Sequence, residues 1–131
     1  MQKQSSEIQE VLDQIAVAIT AGDGETVMAL WELPAFVVGE SMAQVIDDID
    51  EGAKFFGGAK KQYRKMGIAD TRAEIEDVEW LGKDVAVAKV RWPYLDEDGR
   101  EVGGERSDYT FKRDESGALK VRSVLMRGVE H

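Results

Sequence analysis

The sequence predicts an α+β fold in which helices come first and an antiparallel sheet follows. Three observations carry that expectation. Apolar residues recur at helical spacing through the first half of the chain, and from Thr71 onward the period changes to two. Turn-forming pairs at Gly82-Lys83, Asp98-Gly99 and Ser116-Gly117 divide the period-two region into hairpin-sized pieces. The chain has 131 residues with a hydrophobic share of 43%, enough for one domain over residues 1–131 that folds without a disulfide or a metal.

The elements follow in order. Ser6-Glu7-Ile8-Gln9 has the spacing of a capping box, and Ile8, Val11, Leu12, Ile15, Ala18 and Ile19 then form one apolar stripe that Gly22 ends. Asp23 is placed to cap a short second helix carrying Val27, Leu30 and Trp31, closed by Pro34. Residues 35–39 read as a short strand, and Glu40-Ser41 turns into a second one over 42–46. Asp48-Ile49-Asp50-Glu51 repeats the capping-box spacing, with acids at the positive end of the helix dipole. A long helix follows, with Phe56, Ala59, Tyr63 and Met66 on one face and a basic last turn before Gly67. Strands are expected near 71–80, 84–95, 105–113 and 119–127. The result is three helices and a small hairpin, then a four-stranded antiparallel meander.

The turns sort the strand faces. A two-residue turn at Asp98-Gly99 sets Ala86 against Phe111, Ala88 against Tyr109, Val90 against Ser107 and Trp92 against Glu105. A three-residue loop with Gly117 left-handed sets Phe111 against Val121, Tyr109 against Ser123 and Ser107 against Leu125. Both readings agree on one helix-covered face, provided that Gly103-Gly104 holds no bulge that slips the register. The opposite face mixes Val85, Val87, Val124 and Met126 with Lys89, Arg91, Arg106, Asp108 and Arg122, a composition that suits an isologous homodimer interface.

Composition removes several function classes. Acids outnumber bases 26 to 17, and residues 1–51 hold eleven acids against one base, so nucleic acid and anionic membrane are poor partners. No run approaches the roughly 18 apolar residues of a membrane helix, and the N-terminus has no signal-peptide core, so the cytoplasm is the expected compartment. The absence of cysteine excludes thiolate zinc sites and thiol nucleophiles. Asp47, Asp48, Asp50 and Glu51 read as helix-start charges rather than a cation site, and no metal or other cofactor is expected. Residues 94–105 place acids at some positions of a calcium loop, but Tyr94 stands at its first position and strands flank it, so calcium is rejected. Gly57-Gly58 matches no phosphate fingerprint and reads as close packing or a kink.

The aromatic residues Trp31, Phe36, Phe56, Tyr63, Trp92 and Tyr109 are expected to converge where helices meet sheet. With Ser107 and Ser123 they are the candidate ligand-binding residues; Glu105 and the Tyr109 hydroxyl are further polar groups on that face.

Three segments resemble the nuclear transport factor 2-like superfamily, and among its branches the bacterial polyketide-cyclase-like proteins. They are LWELPAFVVGE at 30–40, QYRKMG at 62–67, and VAVAKVRWPYLDEDGRE with SDYTFKRDESGALKVRSV over 85–124. The resemblance implies a cone of curved antiparallel sheet wrapped by three N-terminal helices, as in cystatin-like folds. It also implies a pocket open at one end and a homodimer. It implies no activity, because this fold hosts isomerases, dehydratases, cyclases, epoxide hydrolases and non-catalytic binders. Steroid-isomerase-like members place a tyrosine and an aspartate where this chain has neither, and histidine-dependent branches find only the terminal His131. Epoxide-hydrolase-like members use Arg-x-Asp, matched by Arg106-Ser107-Asp108 without a second aspartate opposite; the register turns both charges outward, where Asp108 would pair with Lys89. No catalytic set is complete.

The expected function is to hold a small apolar or amphipathic organic molecule in the cone, as a homodimer. Two alternatives stay open. One is an accessory domain whose mixed sheet face recruits a partner. The other is an isomerase, cyclase or epoxide-hydrolase-like enzyme acting on a cyclic or terpenoid-like substrate.

Overall fold

The computed structural model describes residues 2–130, with side chains over 6–129, so His131 lies outside the described residues. Helix α1 (Gln2–Ala21) and helix α2 (Gly24–Ala29) lead into strands β1 (Trp31–Gly39) and β2 (Met42–Ile46). Helices α3 (Ile49–Gly57) and α4 (Ala59–Lys65) follow, then β3 (Asp70–Thr71), β4 (Glu74–Leu81), β5 (Val85–Leu95), β6 (Glu101–Arg113) and β7 (Leu119–Glu130). The strands form one seven-stranded sheet in the order β2-β1-β7-β6-β5-β3, with β4 also paired to β5. The first hairpin is therefore no separate unit. β1 lies parallel to β7, so the sheet joins the two halves of the chain and is antiparallel elsewhere.

The apolar stripe of α1 packs onto the sheet as its spacing predicts: Ile8, Leu12 and Ile15 are at most 1% exposed. They meet Phe111, Val121, Val90 and the alanines of β5 in one apolar cluster. Small Ala86 and Ala88 let the helix layer approach the strands closely. Arg113 fixes α1 from the side: its guanidinium donates to Glu7 at 2.7 Å and lies over the Trp80 ring.

Three expectations about the helices change. The first helix begins at Gln2, so Ser6 is inside it and not its cap; the Gln9 amide donates instead to Asp13 and to the Ala73 carbonyl. Pro34 does not close α2, which ends before β1 begins at Trp31; it sits within β1 where the pairing to β7 is interrupted, a place where a missing N–H costs no ladder bond. The long third helix is broken after Gly57 into α3 and α4, and its apolar face continues across the break. The caps at Asp23 and Asp48 form as read: Asp23 accepts from the Thr26 N–H, and Asp48 from those of Asp50 and Glu51.

The β5–β6 register is the predicted one from Val85↔Lys112 to Tyr94↔Gly103, though for a different reason. The turn is a three-residue loop over 97–99, closed by the Asp96 N–H to the Arg100 carbonyl, with Gly99 at φ 77°. One extra residue at Val102 then restores the pairing. In the next hairpin Gly117 is left-handed as expected, and Phe111 pairs Val121. Beyond them Arg122 is an extra residue, so Tyr109 opposes Val124 and Ser107 opposes Met126. This bulge overturns the predicted pairs of Tyr109 with Ser123 and Ser107 with Leu125. It turns Ser123 and Leu125 outward and brings Val124 and Met126 to the helix-covered face. Of the residues expected on the outer sheet face, Val85 and Val87 lie there, whereas Val124, which is 6% exposed, and Met126 line the helix-covered side.

Candidate functional site

Between the sheet and the helices lies a cavity of about 440 Å³. Its floor is the inner face of β5, β6 and β7, from which Tyr94, Glu105, Ser107, Tyr109, Val124 and Met126 project. Its walls are Phe55 and Phe56 of α3, Tyr63 of α4 and Met66 just past its end, Ile19 of α1 and Trp31 of β1. The helical spacing of Phe56, Ala59, Tyr63 and Met66 turns all four toward the cavity despite the break at Gly58.

The aromatic groups form two contacting sets. Trp31 and Phe56 lie 5.0 Å apart between ring centres, with Phe55 edge-on to Phe56. Across the cavity Tyr63 meets Tyr94 at 5.8 Å, and Tyr109 is wedged between Trp92 and Phe111. Trp92 stands behind Tyr109, with ring centres 5.9 Å apart, and so supports the lining without belonging to it.

Glu105 is the one charged side chain among the described residues that line the cavity. Burial raises its pKa, and the nearby Tyr94 hydroxyl partly offsets this. Burial and then the negative charge of Glu105 push Tyr63, Tyr94 and Tyr109 well above the usual phenol range. Those hydroxyls stay protonated and are available as donors. A carboxylate desolvated in an apolar site can hold a proton, give one up, or bind a cation. The Trp31 indole N–H, on the opposite wall, is buried with no hydrogen-bond partner among the described residues.

Of the predicted ligand-binding residues, Trp31, Phe56, Tyr63, Ser107 and Tyr109 come together in this cavity. Phe36 and Ser123 do not. They neighbour each other on the outer face, beside a hollow of about 510 Å³ that also holds Pro34, Thr110 and Arg122. The alternation of β1 and the Arg122 bulge of β7 put them there. Tyr94 was legible by alternation alone, two residues beyond Trp92 on the same strand face. Val124 and Met126 were not, because no turn residue marks the bulge.

The Arg-x-Asp pattern faces away from the cavity. Arg106 donates to Glu76 at 3.0 Å, and Asp108 accepts from Arg127 at 2.7 Å, not from Lys89. A larger groove of about 650 Å³ lies outside α4, with Lys60, Arg64, Asp96, Glu97 and Asp98 among its lining residues, and Tyr63 stands between groove and cavity. No cluster of metal-ligating side chains occurs among the described residues, and none of their helices is long and apolar enough to cross a membrane.

A curved α+β sheet covered by N-terminal helices, with a cavity between them, defines a nuclear transport factor 2-like protein of cystatin-like fold. The family model described as NTF2-like protein (DUF6841) matches residues 6–129, and the chain belongs to that family. Solved structures agree on the fold. A cystatin-like domain of unknown function from Nostoc punctiforme superposes with a TM-score of 0.70 at 17% identity, over 97% of this chain and 78% of that one. An NTF2-like protein of unknown function from Shewanella oneidensis gives 0.70 at 13%, over 95% and 99%. A ketosteroid isomerase-like protein from Erwinia carotovora atroseptica gives 0.67 at 15%, over 93% of each chain. No curated protein sequence matches the chain significantly.

Proposed function

We propose that the protein binds a small, mainly apolar organic molecule in the cavity between α3–α4 and the sheet. The observation that carries this reading is the cavity itself: about 440 Å³, walled by Trp31, Phe55, Phe56, Tyr63 and Tyr109, with few polar groups. Sites for small molecules have that size and that mixture of apolar wall and sparse polar anchors. Native mass spectrometry of the purified chain tests it. A discrete adduct lost on activation is expected, and Ala59→Trp, which fills the cavity from α4, should remove it. A chain that carries no adduct and takes up no apolar fluorophore would overturn the reading.

A second reading concerns the outer face, and a specific observation favours it. Phe36, Val38, Val45 and Leu125 are 40–49% exposed and adjoin one another across β2, β1 and β7. A second copy of the chain packed on this stripe would cover it, in place of the interface expected at Val85, Val87, Val124 and Met126.

A further inference from the structure

The chemistry of the cavity narrows its ligand further, and this step rests on the reading above. Glu105 sits on β6 opposite Trp92, on the floor of a cavity whose other described lining residues are apolar, aromatic or neutral. Arg106 is turned to Glu76 on the far side of the sheet, and no arginine or lysine is among the described residues that line the cavity with Glu105. Among the described residues the Tyr94 hydroxyl is the polar group that acts on the carboxylate, which leaves most of its acceptor positions open. Around it stand the rings of Tyr63, Tyr94 and Tyr109.

We propose that the cavity selects an amine: a compact apolar body bearing one cationic nitrogen, seated against the Glu105 carboxylate and among the tyrosine rings. Each part of the site favours that ligand. A lone carboxylate in an apolar chamber lacks a counter-charge, and an ammonium supplies it through short, charge-assisted hydrogen bonds. Tyrosine faces attract a cation through their negative π-surfaces, and more strongly where water is excluded. The same carboxylate repels a carboxylate or phosphate ligand, for which the cavity holds no basic side chain among its described residues. Burial alone raises the pKa of Glu105, and an adjacent ammonium would bring it back toward the ionised form.

The test uses the intact chain and one cage with four head groups: adamantylamine, adamantanol, adamantanone and adamantane carboxylate. Affinities are read by calorimetry and by quenching of tryptophan fluorescence. The amine is expected to bind at least about tenfold more tightly than the alcohol, and the carboxylate least tightly. Glu105→Gln keeps the shape and removes the charge; it should cost the amine about tenfold and the alcohol less than about threefold. The wild-type series stands without the variant should Glu105→Gln fail to fold. Equal binding of amine and alcohol would overturn the amine while leaving the cavity reading intact. Tightest binding of the ketone would overturn it as well, showing Glu105 to be a neutral donor. If none of the four binds, the cavity reading fails, and the amine with it.

Discussion

Gly24→Ala places the helix layer under a direct test. Gly24 begins α2 and lies against α3 so closely that an added Cβ would stand 1.8 Å from the Ala53 carbonyl oxygen and 2.6 Å from its carbon. Both obstacles are backbone, so no rotamer change relieves them. Restoring ordinary contact at 3.4 Å requires about 1.6 Å of movement between the two helices. Overpacking of this kind costs about 1–3 kcal/mol, and a backbone obstacle puts this site at the upper end. Helix propensity pulls the other way by at most about 1 kcal/mol, so a net loss of about 2 kcal/mol is expected. For 131 residues the unfolding entropy is about 0.28 kcal/mol per degree, which converts that loss to about 7 °C in Tm. Gly52→Ala is the comparison. Its Cβ would meet side-chain atoms only, those of Met28 and Ile46, which can repack where backbone cannot, so its Tm should fall by less than that of Gly24→Ala. Thermal melts followed by circular dichroism measure both. A Gly24→Ala protein as stable as wild type, or a Gly52→Ala protein that loses more, would refute the close α2–α3 approach. The same shift carries Phe55 and Phe56 with α3, so Gly24→Ala should also weaken binding in the cavity.

Three further outcomes are expected. Glu105→Gln should change the pH dependence of stability. Because its pKa is raised on folding, ionised Glu105 opposes the native state, so its penalty is absent below the ordinary carboxylate range and grows as pH rises above it. The wild type should therefore lose Tm relative to Glu105→Gln between acidic and neutral pH; parallel curves would contradict the burial of that carboxylate. Phe111→Ala, at 0% exposure, should cost about 3–5 kcal/mol in chemical denaturation, whereas Phe36→Ala, half exposed, should cost under about 1 kcal/mol. Phe36→Glu should shift light scattering toward the monomer; an unchanged mass would remove the outer face as the site of self-association.

Which parts of this molecule can be read from its residues depends on whether a local signal marks them. The stripe from Ile8 to Ala18 and the alternation from Ala86 to Trp92 are repeated patterns, and they place the core and the inner sheet face. Gly99 and Gly117 mark turns because their positive φ has few other occupants. The β5–β6 register came out right through two compensating features, a loop one residue longer than read and a bulge at Val102. The β7 bulge at Arg122 has no such companion and no glycine or proline to announce it, so the inner and outer residues of that strand exchange places. The parallel contact of β1 with β7 is likewise invisible locally, since strands so far apart in sequence share no turn. Glu105 was placed on the helix-covered face by the hairpin alone. What the residues could not show was its isolation, which depends on where every arginine and lysine finally lies.

The placement of β7 also governs the order in which the molecule can be built. Trp31 and Val121 are neighbours in the sheet, yet about ninety residues separate them along the chain. During synthesis the helices and the first hairpin emerge long before the strand that will lie beside β1. Until β7 arrives, Trp31, Val37 and Val38 have no sheet neighbour on that side, and β1–β2 is only a two-stranded ribbon, which is marginal in water. Closing so long a loop makes this pairing a late and slow event. It also makes β7 a seam. A chain severed between β2 and β3 would yield two fragments that share one sheet, each displaying the edge that the other needs.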